Sequence, residues 1–492
     1  MKIIIIGAGV GGLGAACLLA KSGHKVTVLE KNSDTGGRAG QFKEAGFTFP
    51  YGPTWYLMPD VFQDFFKETG EDIRSHLQLK KVSPLYRVHF KDTLIAPLEI
   101  TGKTKKDIET LERHEPNSAE KLPTYLRSAE SDYNMAMEKF IYRNYASPAD
   151  LLKNPGAREL LRIAPWLKLD NHIGRYFLNK QIKQLLGYPA VFVGSNPVSV
   201  PAIYGMLNHA IYSGVFYPSG GIHQLVTALS NIAKNNGAKI RARSEVTKIV
   251  VNDGKAKGVL LSSGKEIKAD AVISNAGLPN TELNLLKANN RSYRPLSWRW
   301  KKFSPSAVII YLGLSRKTPD QPFHNFVLTP RWHKQFYELD RSKKLPPNPS
   351  LYYCWLSKYE PSVAPESCSG LMAIVPVSRK ARYSPSELDK FADEVLDTIA
   401  KESKTNDLKE HVIYKKVFSG KDFVRRYSAY DGSMLGLSHT FWQTGPFRPQ
   451  NKSKKIANLY YCGADTIPGI GVPMCLISAQ LVAERIKADL NG

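Results

Sequence analysis

Three glycines and one acid near the amino terminus have the spacing of a site for phosphates and a ribose. Gly7, Gly9 and Gly12 form a G-x-G-x-x-G pattern, and Glu30 follows 23 residues after Gly7. Gly7 permits a tight turn, Gly9 lets a pyrophosphate approach the backbone, and Gly12 lets a helix pack closely against a strand. An acid at this distance accepts hydrogen bonds from ribose hydroxyls. These residues predict a bound dinucleotide.

The segments around these residues predict the elements that hold them. Lys2–Ile6 contains four consecutive isoleucines and no polar face, which indicates a parallel strand covered on both sides. Leu13–Ser22 has helical spacing, Gly23 ends it, and Val26–Leu29 is a second apolar run. The amino end of such a helix offers free N–H groups to phosphates. A secretory or membrane-spanning segment is the alternative, but glycines interrupt the apolar run and no cleavage pattern follows it.

A second glycine pair indicates which dinucleotide binds. Gly36 and Gly37 would expose backbone N–H groups, and Arg38 adds a guanidinium that can pair with phosphate oxygens. A second phosphate-facing element so soon after the acid suits FAD, whose longer body lies along the sheet. An ordinary glycine turn with a solvated arginine is the alternative. We also predict that Lys31 and Val246 contact the cofactor.

The carboxyl terminus repeats the order of strand, glycine loop and helix. Leu459–Cys462 is a predicted strand, Gly463–Pro473 is rich in glycine, and Leu476–Leu490 is a predicted helix. Such a loop could hold the other end of the cofactor. The predicted contacts here are Gly463, Asp465, Gly471 and Val472. The alternative is a final strand–helix unit with a glycine-rich turn and no ligand.

Composition limits the remaining possibilities. The chain has 492 residues, a net charge of +24, and 42% hydrophobic residues, without an uninterrupted apolar run of about 20. Five scattered cysteines without C-x-x-C spacing favour a reducing compartment and argue against a metal site. The excess of basic residues fits a generally solvated surface or attraction to an anionic membrane. A nucleic-acid partner is disfavoured because the chain contains no recognisable nucleic-acid module.

Taken together, the motifs resemble those of one family, the bacterial-type carotenoid (phytoene) desaturases of the FAD-dependent amine-oxidase-like superfamily. The amino-terminal glycines, Glu30 and Gly36–Arg38 are features of the whole superfamily. The more specific motifs are Gly46–Phe49 with Gly52–Thr54 and Met58-Pro59, Phe216–Gly221, Leu351–Val377, Phe447–Asn451 and Gly463–Pro473. The resemblance covers essentially the full chain in the family's order.

The resemblance implies an α/β fold, in which a Rossmann-like FAD-binding domain carries an inserted α+β substrate and membrane-facing domain. The implied FAD domain is discontinuous and comprises residues 1–90, 215–285 and 420–492. Residues 91–214 and 286–419 would form the substrate-binding and membrane-associating region. The chain from 187 to 212 is apolar and aromatic, which fits either plain core or the lining of a long apolar pocket.

The sequence departs from the family pattern at two places. Pro50 stands where the family usually has an aspartate before its Gly-Pro-Thr, and Ile467 replaces the histidine of the closing Thr-His-Pro. Asp465 occupies a position that is usually small. Asp150 lies roughly where the family has an aspartate proposed as acid/base, although an aspartate at a helix terminus is the structural alternative.

The implied reaction removes hydrogen from adjacent carbons of a long isoprenoid of the phytoene or diapophytoene type. Because such a substrate is nearly insoluble, the resemblance implies a cytoplasmic protein peripherally associated with the membrane. Trp298–Phe303 interleaves aromatic and cationic residues, which fits a membrane-facing segment or a partly buried strand. The alternatives are an isomerase or oxidase of the same family, a non-catalytic prenyl-lipid carrier, and an amine oxidase. The oligomeric state is left open.

Overall fold

A computed structural model describes residues 1–145, 147–151 and 166–491. Residues 146, 152–165 and 492 lie outside this description. The strands are β1 Lys2–Ile6, β2 Lys25–Leu29, β3 Gln41–Glu44, β4 Phe47–Pro50, β5 Leu79–Lys81, β6 Tyr86–Phe90, β7 Leu98–Ile100, β8 Phe216–Pro218, β9 Lys239–Arg241, β10 Val246–Asn252, β11 Lys255–Leu261, β12 Glu266–Lys268, β13 Ala271–Ser274, β14 Ser306–Leu314, β15 His324–Leu328, β16 Leu351–Trp355, β17 Ser369–Val377, β18 Val412–Phe418 and β19 Leu459–Tyr461.

The α-helices are separated by short 3₁₀ and π turns. They are α1 Val10–Lys21, α2 Pro59–Thr69, α3 Thr104–Glu112, α4 Ser118–Ala136, α5 Leu169–Ile173, α6 Lys180–Gly187, α7 Met206–Tyr212, α8 His223–Asn235, α9 Leu278–Asn280, α10 Pro295–Trp300, α11 Trp332–Arg341, α12 Pro385–Glu402, α13 Gly420–Tyr427 and α14 Val472–Asn491. Among the described residues, no helix combines the length and the apolar character needed to cross a bilayer.

A parallel sheet of five strands forms the centre of the cofactor half. Its order is β19-β13-β1-β2-β9, and every neighbouring pair is parallel. Alternate residues of β1 enter different cores: Ile3 and Ile5 pack with helices α1, α8 and α14, whereas Ile4 and Ile6 pack against the hairpin strands β10 and β11. The predicted strand covered on both faces is therefore confirmed, and the carboxyl ends of β1, β2, β13 and β19 meet at one edge.

A second sheet of seven strands has the order β18-β14-β17-β16-β15-β6-β7 and is antiparallel except between β15 and β6. One face packs on α12, where Val308 and Ile310 share a core with Phe391. The intervening Ile309 points to the other face, which lines a cavity. β6 pairs with β15 in this sheet, although it falls within residues 1–90, which we predict to belong to the FAD domain.

A capping box fixes the amino end of α12. Ser384 caps α12: its hydroxyl accepts a hydrogen bond from the N–H of Glu387, and the Glu387 carboxylate accepts one from the Ser384 N–H. The strand considered for Trp298–Phe303 is wrong, since α10 covers Pro295–Trp300. Trp298 is buried against Tyr293 and Phe303, so only part of this segment faces solvent.

Candidate FAD and substrate site

One continuous cavity of about 1230 Å³ follows the carboxyl edge of the parallel sheet and continues beneath the second sheet. At the sheet edge it is lined by the ends of β1 and β2 and by the loops that follow β1, β2 and β13. Beneath the second sheet it is lined by largely apolar residues from 188 to 211 and from 441 to 447. The sequence left open whether the 187–212 region was core or pocket lining. The structure shows that it supplies both.

The amino-terminal glycines form a cradle at the start of α1. Gly7 and Gly9 line the cavity, but Gly12 does not. A Cβ atom on Gly12 would lie 2.1 Å from the Gly7 carbonyl oxygen, so only glycine permits this close packing of helix on turn. Gly36 and Gly37 line the cavity beside Gly9, and a Cβ on Gly37 would lie 3.3 Å from the Gly9 Cα.

Glu30 is buried at the end of β2 and lines the same region. Its Oε2 accepts a hydrogen bond from the Ala8 N–H at 2.9 Å, and its Oε1 accepts one from the Asn32 N–H at 2.9 Å. These bonds fix the carboxylate next to the glycine turn. A carboxylate has further lone pairs that can accept ribose hydroxyls.

Lys31 and Arg38, the two cationic side chains that we predict to contact the cofactor, also form hydrogen bonds within the protein. Lys31 lines the cavity, and its Nζ donates to the Arg425 carbonyl at 2.9 Å and to the Ser428 hydroxyl at 2.8 Å, which ties β2 to the end of α13. Burial lowers the pKa of Lys31. Arg38 lines the cavity, and its Nε donates to the Met434 carbonyl at 2.6 Å. Val246, at the start of β10, is buried and lines the cavity as well.

The carboxyl-terminal loop forms the opposite wall. Asp465, Gly471 and Val472 line the cavity, whereas Gly463 lies behind it and donates its N–H to the Ser478 hydroxyl at 3.1 Å. The carboxylate of Asp465 accepts the N–H of Leu437 at 3.0 Å and the N–H of Leu278 at 3.1 Å. Asp465 thus joins three segments of the wall, which accounts for an acid at a position that is usually small.

A buried arginine that sequence analysis missed as a site residue holds the same loop. Arg448 donates to the carbonyl oxygens of Thr466 at 2.9 Å, Ala464 at 2.6 Å, Leu437 at 2.8 Å and Gln443 at 2.9 Å. Burial lowers its pKa to about 10. The Phe447–Asn451 motif carried the only signal for this role.

A histidine from a different segment reaches the loop in which Ile467 replaces the family histidine. The Nε2 of His439 accepts the Ile470 N–H at 3.2 Å, so the proton of a neutral ring lies on Nδ1. Nδ1 lies 2.5 Å from the Tyr204 hydroxyl, which is 3.2 Å from the Thr444 hydroxyl. Thr444 in turn donates to the Thr440 carbonyl at 2.8 Å. Burial holds the pKa of His439 well below its ordinary value.

A second buried polar group lies in the cavity wall. Thr54 and Tyr352 line the cavity, and their hydroxyls are 2.7 Å apart. The Tyr352 hydroxyl is also 2.7 Å from Nδ1 of His324, on which the Trp55 ring stacks at 4.1 Å. Burial holds the pKa of His324 well below its ordinary value, so the His324 ring is neutral, as the His439 ring is.

Asp150 occupies a different position. It lies in the 3₁₀ turn Pro148–Leu151, its Oδ2 accepts the Ser147 N–H at 2.9 Å, and the Asp150 charge acts on Arg485. It is not among the described residues that line the cavity. Pro50 ends β4, where it pairs with Gln41.

The cradle of glycines, the fixed acid and the two glycine loops suit a dinucleotide laid along the sheet edge, and their order along the cavity fits FAD. Comparison with known proteins agrees with this geometry. The family model for flavin containing amine oxidoreductases matches residues 10–487. The chain belongs to this family, and its cofactor is FAD.

Within the family, the chain is similar to a carotenoid 3,4-desaturase of Haloarcula japonica, with 35% identity over 99% of this chain and 98% of that protein. It is 30% identical to a 4,4'-diapophytoene desaturase of Staphylococcus haemolyticus over 100% of this chain and 99% of that protein. A crystal structure of an oxidoreductase from Methanosarcina mazei has a TM-score of 0.65 at 18% identity and covers 98% of this chain and 100% of its own. The resemblance to the carotenoid desaturases, the α/β fold and the assignment as an FAD-dependent oxidoreductase are confirmed.

Proposed function

We propose that this protein introduces double bonds into a long isoprenoid of the phytoene or diapophytoene type in carotenoid biosynthesis. The observation that carries this proposal is the cavity, in which the cofactor cradle and an apolar chamber are continuous. Bound FAD supplies the hydride acceptor for this chemistry.

The charge distribution supports an apolar substrate. In the described part of the chain, the Asp, Glu, Lys and Arg residues that line the cavity belong to the predicted cofactor segments: Glu30, Lys31, Arg38, Glu245, Arg426 and Asp465. Tyr204 and His439 are polar, but their hydrogen-bonding groups are directed at one another and at the protein. A chamber of this kind excludes water and orients a hydrocarbon without offering an anion to a cationic amine. The desaturase is therefore favoured over an amine oxidase.

The chain's residues would act mainly by positioning the substrate. Ile309, Ile374 and Pro376 form the chamber face on the second sheet, and Met206 and Leu207 lie in α7. An extended polyene between these walls would present an allylic C–H bond toward the cofactor. We keep Asp150 as a proposed acid/base. Its test is Asp150→Asn, which on this proposal retains FAD and loses product formation; retained activity would refute the assignment.

We also propose that the protein takes its substrate directly from a membrane surface. About forty carbons at about 0.8 kcal/mol for each CH₂ correspond to roughly 30 kcal/mol for exposure to water. Trp166 lines the cavity and yet is 67% exposed, which places one opening of the chamber there. Trp442 is 69% exposed and packs on the cavity-lining Phe441 and Phe447. Exposed tryptophans beside an opening suit a lipid interface.

The test of the function is expression of the chain in carotenoid-free bacteria that make either phytoene or diapophytoene, together with the FAD content of the purified protein. We expect bound FAD and coloured products with more conjugated double bonds. Bound FAD with both precursors recovered unchanged would refute the desaturase and leave the isomerase or oxidase for testing with other polyenes. Absence of both FAD and product would favour the carrier.

A further inference from the structure

A wall of four residues separates the chamber from a second, much smaller void. Trp55, Tyr188, Phe192 and Ile211 line the main cavity on one side and a second void of about 10 Å³ on the other. The remaining residues around this void are Tyr86, Val88, Leu185, Pro189, Phe326 and Leu328. The void is large enough for about one water molecule, but its lining is almost entirely apolar.

Three members of the wall are fixed from behind. Trp55 stacks on His324 at 4.1 Å, Tyr188 is buried and packs on Phe326 at 4.9 Å, and Ile211 is buried in the main core. Phe192 is half-buried, as Trp55 is, and its ring centroid lies 6.3 Å from that of Tyr188.

Phe192 is the aromatic member of the wall that has no hydrogen-bonding group, so shortening its side chain leaves no polar atom of its own unpaired. It lies in the 3₁₀ helix Tyr188–Val193, with ring centroids 5.0 Å from Trp55 and 5.8 Å from Phe326. Loss of this ring would join the small void to the chamber while leaving the surrounding aromatic residues in place.

We propose that Phe192 ends the substrate chamber and determines the length of the polyene that the protein accepts. This inference rests on the proposed function, which it extends by naming a specificity-determining residue. An apolar pocket discriminates by the methylene groups it can or cannot bury, and one such group changes the specificity constant by about 10-fold or more.

The experiment compares Phe192→Ala and Phe192→Trp with the wild type and with a control, Val88→Ala, which enlarges the void without opening the wall. Cells making the thirty-carbon and forty-carbon precursors provide the ratio of long to short products. Phe192→Ala should raise this ratio by about tenfold, Phe192→Trp should lower it, and Val88→Ala should leave it unchanged. Equal ratios in all four proteins would overturn the inference.

A binding assay separates this inference from the function itself. Purified FAD-loaded proteins are titrated with all-trans polyenes of twenty, thirty and forty carbons, and quenching of tryptophan fluorescence reports binding near Trp55. If the wild type converts neither precursor, the proposed function fails, but opposite shifts in length preference for the two Phe192 variants would still support the role of the wall. An unchanged preference would refute it. If Phe192→Ala does not fold, the length preference of Phe192→Trp tests the inference.

Discussion

The Nδ1 atom of His439 lies 2.5 Å from the hydroxyl oxygen of Tyr204 in the cavity wall. The same ring accepts the N–H of Ile470 and packs directly on Gly469, where a Cβ would lie 2.2 Å from the His439 Cε1. A histidine remote in sequence therefore holds the glycine loop, in which the family's own histidine is replaced by Ile467.

The pH dependence of stability should report His439. Burial holds its pKa well below the usual value, so the folded protein keeps the ring neutral while the unfolded chain binds a proton below about pH 6.5. The unfolded state then binds more protons, and stability is fully present above this pH and falls as the pH is lowered. His439→Gln removes this titration, so its loss of stability between pH 7 and pH 5 should be smaller by about 2 kcal/mol.

Thermal unfolding of the FAD-loaded proteins across this pH range measures the difference. His324 is also buried with a lowered pKa, so some pH dependence should remain in the His439 variant. Identical pH profiles for wild type and His439→Gln would contradict the prediction.

Arg448 should be required for cofactor retention. Its guanidinium donates to backbone carbonyls of the glycine loop and of the segment 437–443, and Arg448→Gln would leave several of these acceptors unpaired. Each unpaired buried group costs about 1–3 kcal/mol. We expect lower thermal stability and at least about tenfold weaker FAD binding, measured by flavin fluorescence. Arg425→Gln alters a largely exposed side chain and should bind FAD like the wild type.

Gly12→Ala should abolish FAD binding, although Gly12 does not line the cavity. The added methyl group would collide with the Gly7 carbonyl at 2.1 Å and displace the turn on which the pyrophosphate would lie. Gly23→Ala is the matched control, since nothing lies within 4 Å of its added Cβ. Because Gly23 has a positive φ, Gly23→Ala should lower the stability of the protein modestly. This control variant should nevertheless retain its flavin. A flavin-saturated Gly12→Ala protein would refute this role.

Trp166 and Trp442 should determine attachment to membranes. Replacing both by serine removes exposed aromatic surface beside the cavity and should reduce co-sedimentation with anionic phospholipid vesicles by about tenfold or more. Trp300→Ser is the control, because Trp300 is 82% exposed and does not line the cavity. Equal loss of vesicle binding in the control would show that attachment is not specific to the tryptophans beside the opening and would contradict the prediction.

The sequence by itself determined the cofactor half of the molecule. The isoleucine strand, the glycine turn and Glu30 act within a short stretch of chain, where conformational preference and hydrogen bonding follow from neighbouring residues. The predicted helices and the capping box at Ser384 also depend on residues that are neighbours in the sequence. The family motifs then extended the prediction to FAD and to the desaturases.

Only the tertiary structure decided how the chamber is built. His439, Tyr204 and Ile470 come together from three distant segments, and Arg448 joins loops through backbone carbonyls that have no sequence signature. The wall at Phe192 depends on strand pairing that places Phe326 behind it. Such contacts arise from the packing of separate elements. The sequence shows which residue types are present, but it does not show which of them become neighbours in the fold.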